Sequence, residues 1–330
     1  YRATQLFLQD FVSRWTQSVC CQQLILEIEF AGRQKGASGM RLITITAAVS
    51  ALALASACGS ESPASTEATL ESPPETQQEA ALEVDVLDCG TIEVSDLDAF
   101  SSAGDYAGET DTFTDSCFLV RHPDGNLLWD LGLPGVLAIA GPQTQQIFTV
   151  SLEQTITEQL ADRGMSPDDV DYVSISHSHF DHIGQADQVA GSTWLVSQKE
   201  LDAMFGEGAE IAQEQQALFS LFAPMEQKVF EDELDVFGDG SVVIFETPGH
   251  TPGHTSLQLM MPETGPVLLT GDLYHRAESR ELKRVPRFNS DEAMTVSSME
   301  AFEARADALG AKVIIQHEPA DIDPLEGKIR

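Results

Sequence analysis

Residues 170–184 read Val-Asp-Tyr-Val-Ser-Ile-Ser-His-Ser-His-Phe-Asp-His-Ile-Gly, and this stretch decides how the rest of the chain is interpreted. Its first six residues predict a buried strand, and a strand that leads into a ligand-rich turn is where α/β proteins place their sites. His177 and His179 are two residues apart, so in an extended segment their side chains point to the same side. Asp181 and His182 follow where the chain turns. One loop therefore offers two separate sets of metal ligands.

Three further stretches place ligand-type residues at predicted strand ends. The turn Thr247–His254 lies between two predicted strands and holds His250 and His254. Asp272 and His317 each follow a short apolar stretch. A polar group at the end of an apolar strand is costly to bury without a partner. Four such stretches in one chain therefore predict a shared site rather than isolated core residues.

The order of predicted elements indicates the fold class. From Leu82 onward, strands and helices alternate in two similar runs, and Pro123-Asp124-Gly125 marks a turn between two strands of a predicted hairpin. We therefore expect an α/β protein in which two sheets pack face to face with helices outside, an αββα sandwich.

The ligand pattern resembles that of a known family. The motif His-x-His-x-Asp-His at 177–182, followed in order by His254, Asp272 and His317, resembles the metallo-β-lactamase superfamily. The resemblance covers nearly all of the predicted folded part, and it implies the αββα fold with the site at one edge between the sheets. It also implies two Zn²⁺ ions per chain, although other divalent metals suit the same ligands.

The resemblance implies seven metal ligands. Those of the first metal are His177, His179 and His254, those of the second metal are Asp181, His182 and His317, and Asp272 bridges both. Of the two histidines in the turn, the resemblance favours the later one, and His250 is interpreted as a turn residue that supports the loop. Two metals about 3.5–4 Å apart share a hydroxide that attacks a carbonyl carbon. Asp181 either passes a proton to the leaving group or serves only as a ligand.

Within the superfamily, the closest resemblance is to N-acyl homoserine lactonases. It rests on Asp-Cys-Gly at 88–90, Leu-Trp-Asp-x-Gly at 128–132, the repeated Thr-Pro-Gly-His turn at 247–254 and Gly-Asp-Leu-Tyr at 271–274. Those enzymes carry a tyrosine three residues after the bridging aspartate, where it assists the substrate carbonyl. Here His275 holds that position and Tyr274 comes one residue earlier, so both are candidate catalytic residues together with Asp181.

The implied function is opening of a lactone by a metal-bridging hydroxide, and hence quorum quenching. Another ester or thioester hydrolase of the same fold is the first alternative. A metal-binding lipoprotein without catalytic activity is the second. The apolar stretch Val136–Val150, with Leu137, Ile139, Ile147 and Phe148, either lines an acyl-chain pocket or packs in the core.

Charge restricts the partners. The chain has 53 Asp and Glu against 18 Lys and Arg, a formal net charge of −35, which argues against nucleic acid and anionic membrane surfaces. We expect a small ester or lactone substrate, with a homodimer as one arrangement of the chain. Five basic residues cluster in one segment, where they bind an anionic group or form salt bridges, and the second interpretation is favoured. They are Arg276, Arg280, Lys283, Arg284 and Arg287.

The first 81 residues are expected to lie outside the catalytic domain, which we place at 82–330. Residues 40–58 have the pattern of a signal peptide, and Cys58 follows small residues as in a lipobox. We therefore expect a membrane-anchored lipoprotein, attached through its lipid alone, with a plain secretory peptide and a periplasmic protein as the alternative. Residues 1–39 are interpreted as a non-native or mis-started extension, and 59–81 as a disordered linker.

Two cysteines remain to be placed. Cys89 and Cys117 lie at the ends of predicted strands and are able to pair in an oxidising compartment. We favour the alternative of two unpaired, half-buried thiols.

Overall fold

The computed structural model describes residues 82–330 apart from 208 and 210–212. The predictions for 1–39, 40–58, Cys58 and 59–81 lie outside the described residues. Within them, two β-sheets pack face to face with helices on their outer sides, which confirms the αββα sandwich.

The strands and helices follow one another along the chain with short connections. The strands are β1 (Glu83–Val94), β2 (Asp111–His122), β3 (Gly125–Trp129), β4 (Gln143–Gln145), β5 (Phe148–Ser151), β6 (Tyr172–Ser174), β7 (Thr193–Ser197), β8 (Glu226–Phe230), β9 (Glu233–Asp235), β10 (Val242–Glu246), β11 (Thr255–Met261), β12 (Gly265–Leu269), β13 (Lys312–Ile314) and β14 (Lys328–Ile329). The helices are α1 (Leu137–Ala140), α2 (Ile156–Asp162), α3 (Phe180–Ile183), α4 (Gln198–Phe205), α5 (Gln213–Phe219), α6 (Ala277–Leu282), α7 (Glu292–Leu309) and α8 (Pro319–Ile322).

The two sheets differ in size. The larger has the order β4-β5-β1-β2-β3-β6-β7-β8, with β14 also paired to β1, and the smaller has the order β13-β12-β11-β10-β9. The predicted hairpin is the antiparallel pair β2 and β3, in which His122 faces Gly125. Within the described part of the chain, no helix combines the length and the apolar character needed to cross a membrane.

Apolar side chains from both sheets fill the space between them. Phe118 and Trp129 of the larger sheet pack in one buried cluster with Ile244 of the smaller sheet. Because side chains alternate along a strand, the neighbouring Phe245 points to the opposite face, where it packs against Phe302 of α7. The smaller sheet is thereby covered on both faces, and the strand ends that carry the predicted ligands are fixed relative to one another.

Cys89 and Cys117 form a disulfide between β1 and β2, so the favoured prediction of two unpaired thiols is wrong. The pairing register of β1 shifts between Asp88 and Gly90, which makes Cys89 the extra residue of a bulge. Both cysteines are fully buried. A Cβ on Gly132, whose φ is +60°, would lie 2.4 Å from Cβ of Cys89, so the bridge lies directly beneath the loop that follows β3.

Candidate metal centre

The four ligand-bearing stretches meet at one edge of the sandwich. The loop after β6 comes from the larger sheet, and the stretches after β10, β12 and β13 come from the smaller one. Two groups of side chains lie there, and within each group the potential ligand atoms lie within 4.8 Å of one another. The first cluster consists of His177, His179, His250 and Asp272, and the second cluster consists of Asp181, His182 and His317.

Asp272 faces both clusters. Its Oδ2 lies 3.5 Å from Nε2 of His177 and 3.3 Å from Nε2 of His250. Its Oδ1 lies 2.9 Å from Nε2 of His317 and 3.2 Å from Nε2 of His182. One oxygen therefore faces each cluster, which is the position expected of a shared ligand.

The carboxylate of Asp272 is suited to a cation. It is buried, and no described residue gives its Oδ1 a hydrogen bond of acceptable geometry, although the imidazoles of His182 and His317 lie beside it. Burial alone would raise the pKa of Asp272, but the imidazoles of His182 and His317 outweigh burial and hold that pKa well below its usual range. A buried carboxylate oxygen without a donor is costly, and imidazole nitrogens with carboxylate oxygens form a donor set that suits zinc. The residues present therefore fit a pair of metal ions.

Contacts outside the clusters orient several imidazoles. Nδ1 of His250 lies 3.1 Å from Oδ1 of Asn289, and Nδ1 of His317 lies 2.8 Å from the carbonyl oxygen of Thr114. In each case the Nδ1–H donates outward and Nε2 is left to face the site, the arrangement typical of histidines that bind metals.

Asp130 orients the imidazole of His182 in the same way. It is fully buried, and its Oδ2 lies 3.1 Å from Nδ1 of His182. Its Oδ1 accepts the amide of Ser176, and its Oδ2 also accepts from Nε2 of Gln316 at 2.7 Å. Oε1 of Gln316 in turn accepts the amide of Gly271 at 3.0 Å. In the sequence Asp130 is visible only as part of a motif, and Gln316 has no local signal, although it supports three of the ligand-bearing stretches from within.

The two clusters differ in the pKa of their histidines. Burial, followed by repulsion from neighbouring imidazoles, holds the pKa of His177 and His179 well below the ordinary value. Burial also opposes protonation of His182 and His317, but Asp272 and other carboxylates outweigh it. They raise the pKa of His182 well above its usual range and that of His317 to about 9.

The structure exchanges the predicted roles of the two turn histidines. Nε2 of His254 accepts the backbone amide of Asp272 at 2.9 Å, and its Nδ1 lies 3.1 Å from the carbonyl oxygen of Thr247. Burial lowers the pKa of His254 to about 3, so the ring is neutral and its one lone pair is already used. In this structure His250, and not the predicted His254, lies in the first cluster.

Tyr274 and His275 point in opposite directions because the backbone at Tyr274 is extended. The hydroxyl of Tyr274, a predicted catalytic residue, donates to Glu303 at 2.9 Å on the α7 side of the sheet and so does not face the two clusters. Nε2 of His275 lies 3.0 Å from Oδ2 of Asp272, and its ring stacks on His317 with centroids 5.8 Å apart. His275 is therefore beside both clusters.

An aromatic wall adjoins the site on one side. It consists of Phe100, Phe113, Phe148, Phe180 and Phe288, which pack in or against one apolar cluster. The ring of Phe100 lies 5.0 Å from that of His275, and Phe288 lies 6.1 Å from His250.

The apolar stretch 136–150 contributes unequally to this side of the molecule. Leu137, Ile147 and Phe148 pack in or against the same apolar cluster as the aromatic wall. Ile139, in contrast, is 83% exposed, so it does not line a pocket in this structure.

The basic segment forms salt bridges, as the favoured interpretation predicted. The pairs are Arg276 with Asp111, Arg280 with Glu303, Lys283 with Glu300, Arg284 with Asp105 and Arg287 with Asp98. These cations are already neutralised within the fold.

The chain is similar to known proteins in sequence and in fold. N-acyl homoserine lactonase AttM of Rhizobium radiobacter is 29% identical over 221 residues, which cover 61% of this chain and 81% of that protein. A 1.4 Å structure of an N-acyl homoserine lactone hydrolase, with the product N-hexanoyl-L-homoserine at its catalytic metal center, superposes with a TM-score of 0.62. It is 24% identical, and the match covers 74% of this chain and 96% of that one. AidC, a dizinc quorum-quenching lactonase, gives a TM-score of 0.57 at 19% identity over 75% of this chain and 89% of its own.

The structural matches establish the fold, and the sequence match establishes the family. Residues 111–317, which include every member of both clusters, match the metallo-beta-lactamase superfamily. The chain therefore belongs to the metallo-beta-lactamase superfamily and is a metal-dependent hydrolase.

Proposed function

We propose that the protein is a dinuclear metal hydrolase that opens the ring of N-acyl homoserine lactones. The observation that carries this proposal is the pair of clusters that share Asp272 beside the aromatic wall. The AttM relative and the product-bound neighbour are lactone hydrolases by name, which supports the substrate class.

The first cluster would hold one metal and the second cluster the other, with Asp272 contributing one oxygen to each. When bound, two divalent ions such as Zn²⁺ supply Lewis acidity and make a water molecule nucleophilic near neutral pH. Side chains close to the metal ligands would orient the lactone and transfer protons.

His275 is the proposed hydrogen-bond donor to the substrate carbonyl. Its Nε2 lies at the wall of the site, 3.0 Å from Asp272, and its ring is held between Phe100 and His317. With Asp272 acting as a metal ligand, the Nε2–H of His275 would be free to donate to the oxyanion that develops on the lactone.

Asp181 is the proposed proton carrier. Its side chain is 12% exposed, against 4% for Asp272, so it is the more accessible of the two carboxylates. Oδ2 of Asp181 lies 3.9 Å from Nε2 of His317. From this position its carboxylate would take the proton that the attacking water loses and pass it to the ring oxygen, which leaves as an alcohol when its bond to the carbonyl carbon breaks. The aromatic wall would contact the acyl chain, since apolar side chains dominate such pockets.

The test combines metal analysis with a substrate panel. We expect two metal ions per chain and a higher kcat/KM for acyl homoserine lactones than for aryl esters or thioesters. Chelation should abolish turnover and Zn²⁺ should restore it. His182→Asn should lower both metal content and turnover, whereas His122→Asn, at the turn between β2 and β3, should change neither. Full lactone turnover by metal-free protein would exclude the mechanism.

A second candidate is an aryl ester or thioester hydrolase with the same metal centre. It is favoured by one observation, that a histidine stands at 275 where the lactonases it resembles carry a tyrosine. The same panel separates the two candidates, because a preference for thioesters or aryl esters over lactones would select the second.

We further propose that the protein is exported and anchored through lipidated Cys58. The signal-like segment and the buried disulfide Cys89–Cys117 support export, since disulfides persist in oxidising compartments. Labelled palmitate should be incorporated into the wild type and not into Cys58→Ser, and release of unlabelled protein into the periplasm would support the plain secretory alternative. The homodimer stays a prediction that light scattering tests.

A further inference from the structure

Glu200 is a buried acid without a basic partner. It lies in the first turn of α4, and only 2% of its surface is exposed. No Lys, Arg or His of the described residues forms an ion pair with it. A buried charge of this kind is costly unless hydrogen bonds satisfy it, so its contacts are informative.

Three donors converge on the carboxylate, and they come from two separate loops. The amide of Ser178 donates to Oε1 at 2.8 Å. The hydroxyl of Thr251 and the amide of Gly253 donate to Oε2 at 2.8 and 2.9 Å. One side chain therefore joins the loop after β6 to the turn between β10 and β11, which belong to different sheets.

The turn also approaches the helix backbone closely. A Cβ placed on Gly253 would lie 2.0 Å from the backbone nitrogen of Glu200. Any other residue at 253 would push the turn away from α4. The carboxylate of Glu200 therefore joins two segments that already pack in direct contact.

Both joined loops carry ligands of the first cluster. Ser178 lies between His177 and His179, and Thr251 follows His250 directly. The second cluster has a different support, since His182 contacts Asp130 and His317 donates to the carbonyl of Thr114.

We propose that Glu200 is a positioning residue that sets the separation of the two ligand loops and so determines the metal affinity of the first cluster. This inference rests on the proposed dinuclear centre. A carboxylate suits the task because it only accepts hydrogen bonds, whereas the amide of glutamine replaces one acceptor with a donor. Glu200→Gln would face the amide of Ser178 or of Gly253 with a second N–H.

The experiment is a metal titration of the full-length, metal-free chain with Co²⁺, followed by absorption and by competition with a chromophoric chelator. Wild type and His250→Ala are compared first, so that the binding step lost in His250→Ala identifies the first cluster. In Glu200→Gln we expect that same step to weaken by about tenfold to a hundredfold, the usual cost of losing a residue that supports a metal ligand. The other step should change little.

Glu246→Gln is the matched control. Glu246 is also a largely buried acid, but among the described residues its carboxylate bonds only at the start of α4, where Oε1 accepts from Ser197 at 2.7 Å and Oε2 pairs with Lys199. Both binding steps should be unchanged in this variant. Thermal unfolding of the metal-free variants measures whether Glu200→Gln and Glu246→Gln lower the stability of the fold by similar amounts.

Thr251→Val is the second test if Glu200→Gln does not fold. It removes one of the three hydrogen bonds and preserves the side-chain shape, so a smaller weakening of the same step is expected. If Glu200→Gln or Thr251→Val binds both metals as the wild type does, or weakens both steps equally, the inference is overturned while the dinuclear centre stands. A wild type that binds no metal overturns both.

Discussion

The three histidines of the first cluster lie on two loops that Glu200 joins from α4, whereas the second cluster is supported from the interior by Asp130 and the carbonyl of Thr114. They also differ in charge. Burial keeps His177 and His179 neutral, while nearby carboxylates favour the protonated forms of His182 and His317. These shifts favour free lone pairs on two imidazoles of the first cluster and protonated rings in the second cluster. Two clusters built from the same residue types are therefore not equivalent metal sites.

Removing the carboxylate of Asp272 should abolish metal binding at both clusters, and with it the difference between them. In Asp272→Ala, both clusters lose an oxygen ligand and the histidines lose their common counter-charge. We expect metal content to approach zero and kcat/KM to fall by at least about 10³-fold, because metal Lewis acidity is worth several kcal/mol. Metal analysis and lactone kinetics measure the two effects. Retention of two metals by this variant would show that Asp272 is not shared.

The two turn histidines offer a more selective test. His250→Ala should bind one metal instead of two and lose about a hundredfold or more in kcat/KM, since only the first cluster is damaged. His254→Ala should retain both metals, but the amide of Asp272 would lose its acceptor and stability would fall by about 1–3 kcal/mol. Metal content and denaturant unfolding separate the two. A variant at 254 that loses a metal would restore the original ligand prediction.

The sequence located most of the site because ligand types at strand ends are a local signal. It could not distinguish His250 from His254, since each follows the same Thr-Pro-Gly. The distinction arises from distant partners, Asn289 for one ring and the amide of Asp272 for the other. Likewise, nothing local fixes whether Tyr274 or His275 faces the site, because that depends on where the extended segment begins.

Other misses have similar causes. The bulge that brings Cys89 to Cys117 depends on how β1 pairs with β2. A glycine at position 90 is not by itself enough to predict it. Glu200 has the ordinary appearance of an acid in the first turn of a helix, where it complements the helix dipole. Its three donors come from loops that the sequence places 22 to 53 residues away. The hydrophobic pattern was sufficient to predict the αββα order of strands and helices, because the alternation typical of strands and the spacing typical of helices are local features of the sequence.

The metal affinity of the two clusters should depend differently on pH. The pKa of His317 is raised to about 9, so this ring carries a proton at neutral pH that a metal must displace. Affinity at the second cluster should therefore rise with pH, by about tenfold per unit for each proton released, until pH exceeds about 9. The first cluster, in which the pKa values of His177 and His179 are lowered, should show little dependence above neutral pH. Calorimetric metal titrations in buffers of different ionisation enthalpy count the protons, and equal release in both steps would contradict this account.

Tyr274 provides a reference that belongs to neither cluster. Tyr274→Phe removes only the hydrogen bond to Glu303, so stability should fall by about 1 kcal/mol. Metal content and kcat/KM should equal those of the wild type. A fall in kcat without loss of stability would return Tyr274 to the list of catalytic residues.

The position of the site between the sheets has a mechanical consequence. Ligands from residue 177 to residue 317 come from strand ends of both sheets, so bound metals would join the two halves of the sandwich at one edge. In the unfolded chain the same bonds would close long loops, and the free energy of metal binding would count directly toward folding. Supply of metal during folding would then control how much of the chain survives proteolysis, before any substrate is bound.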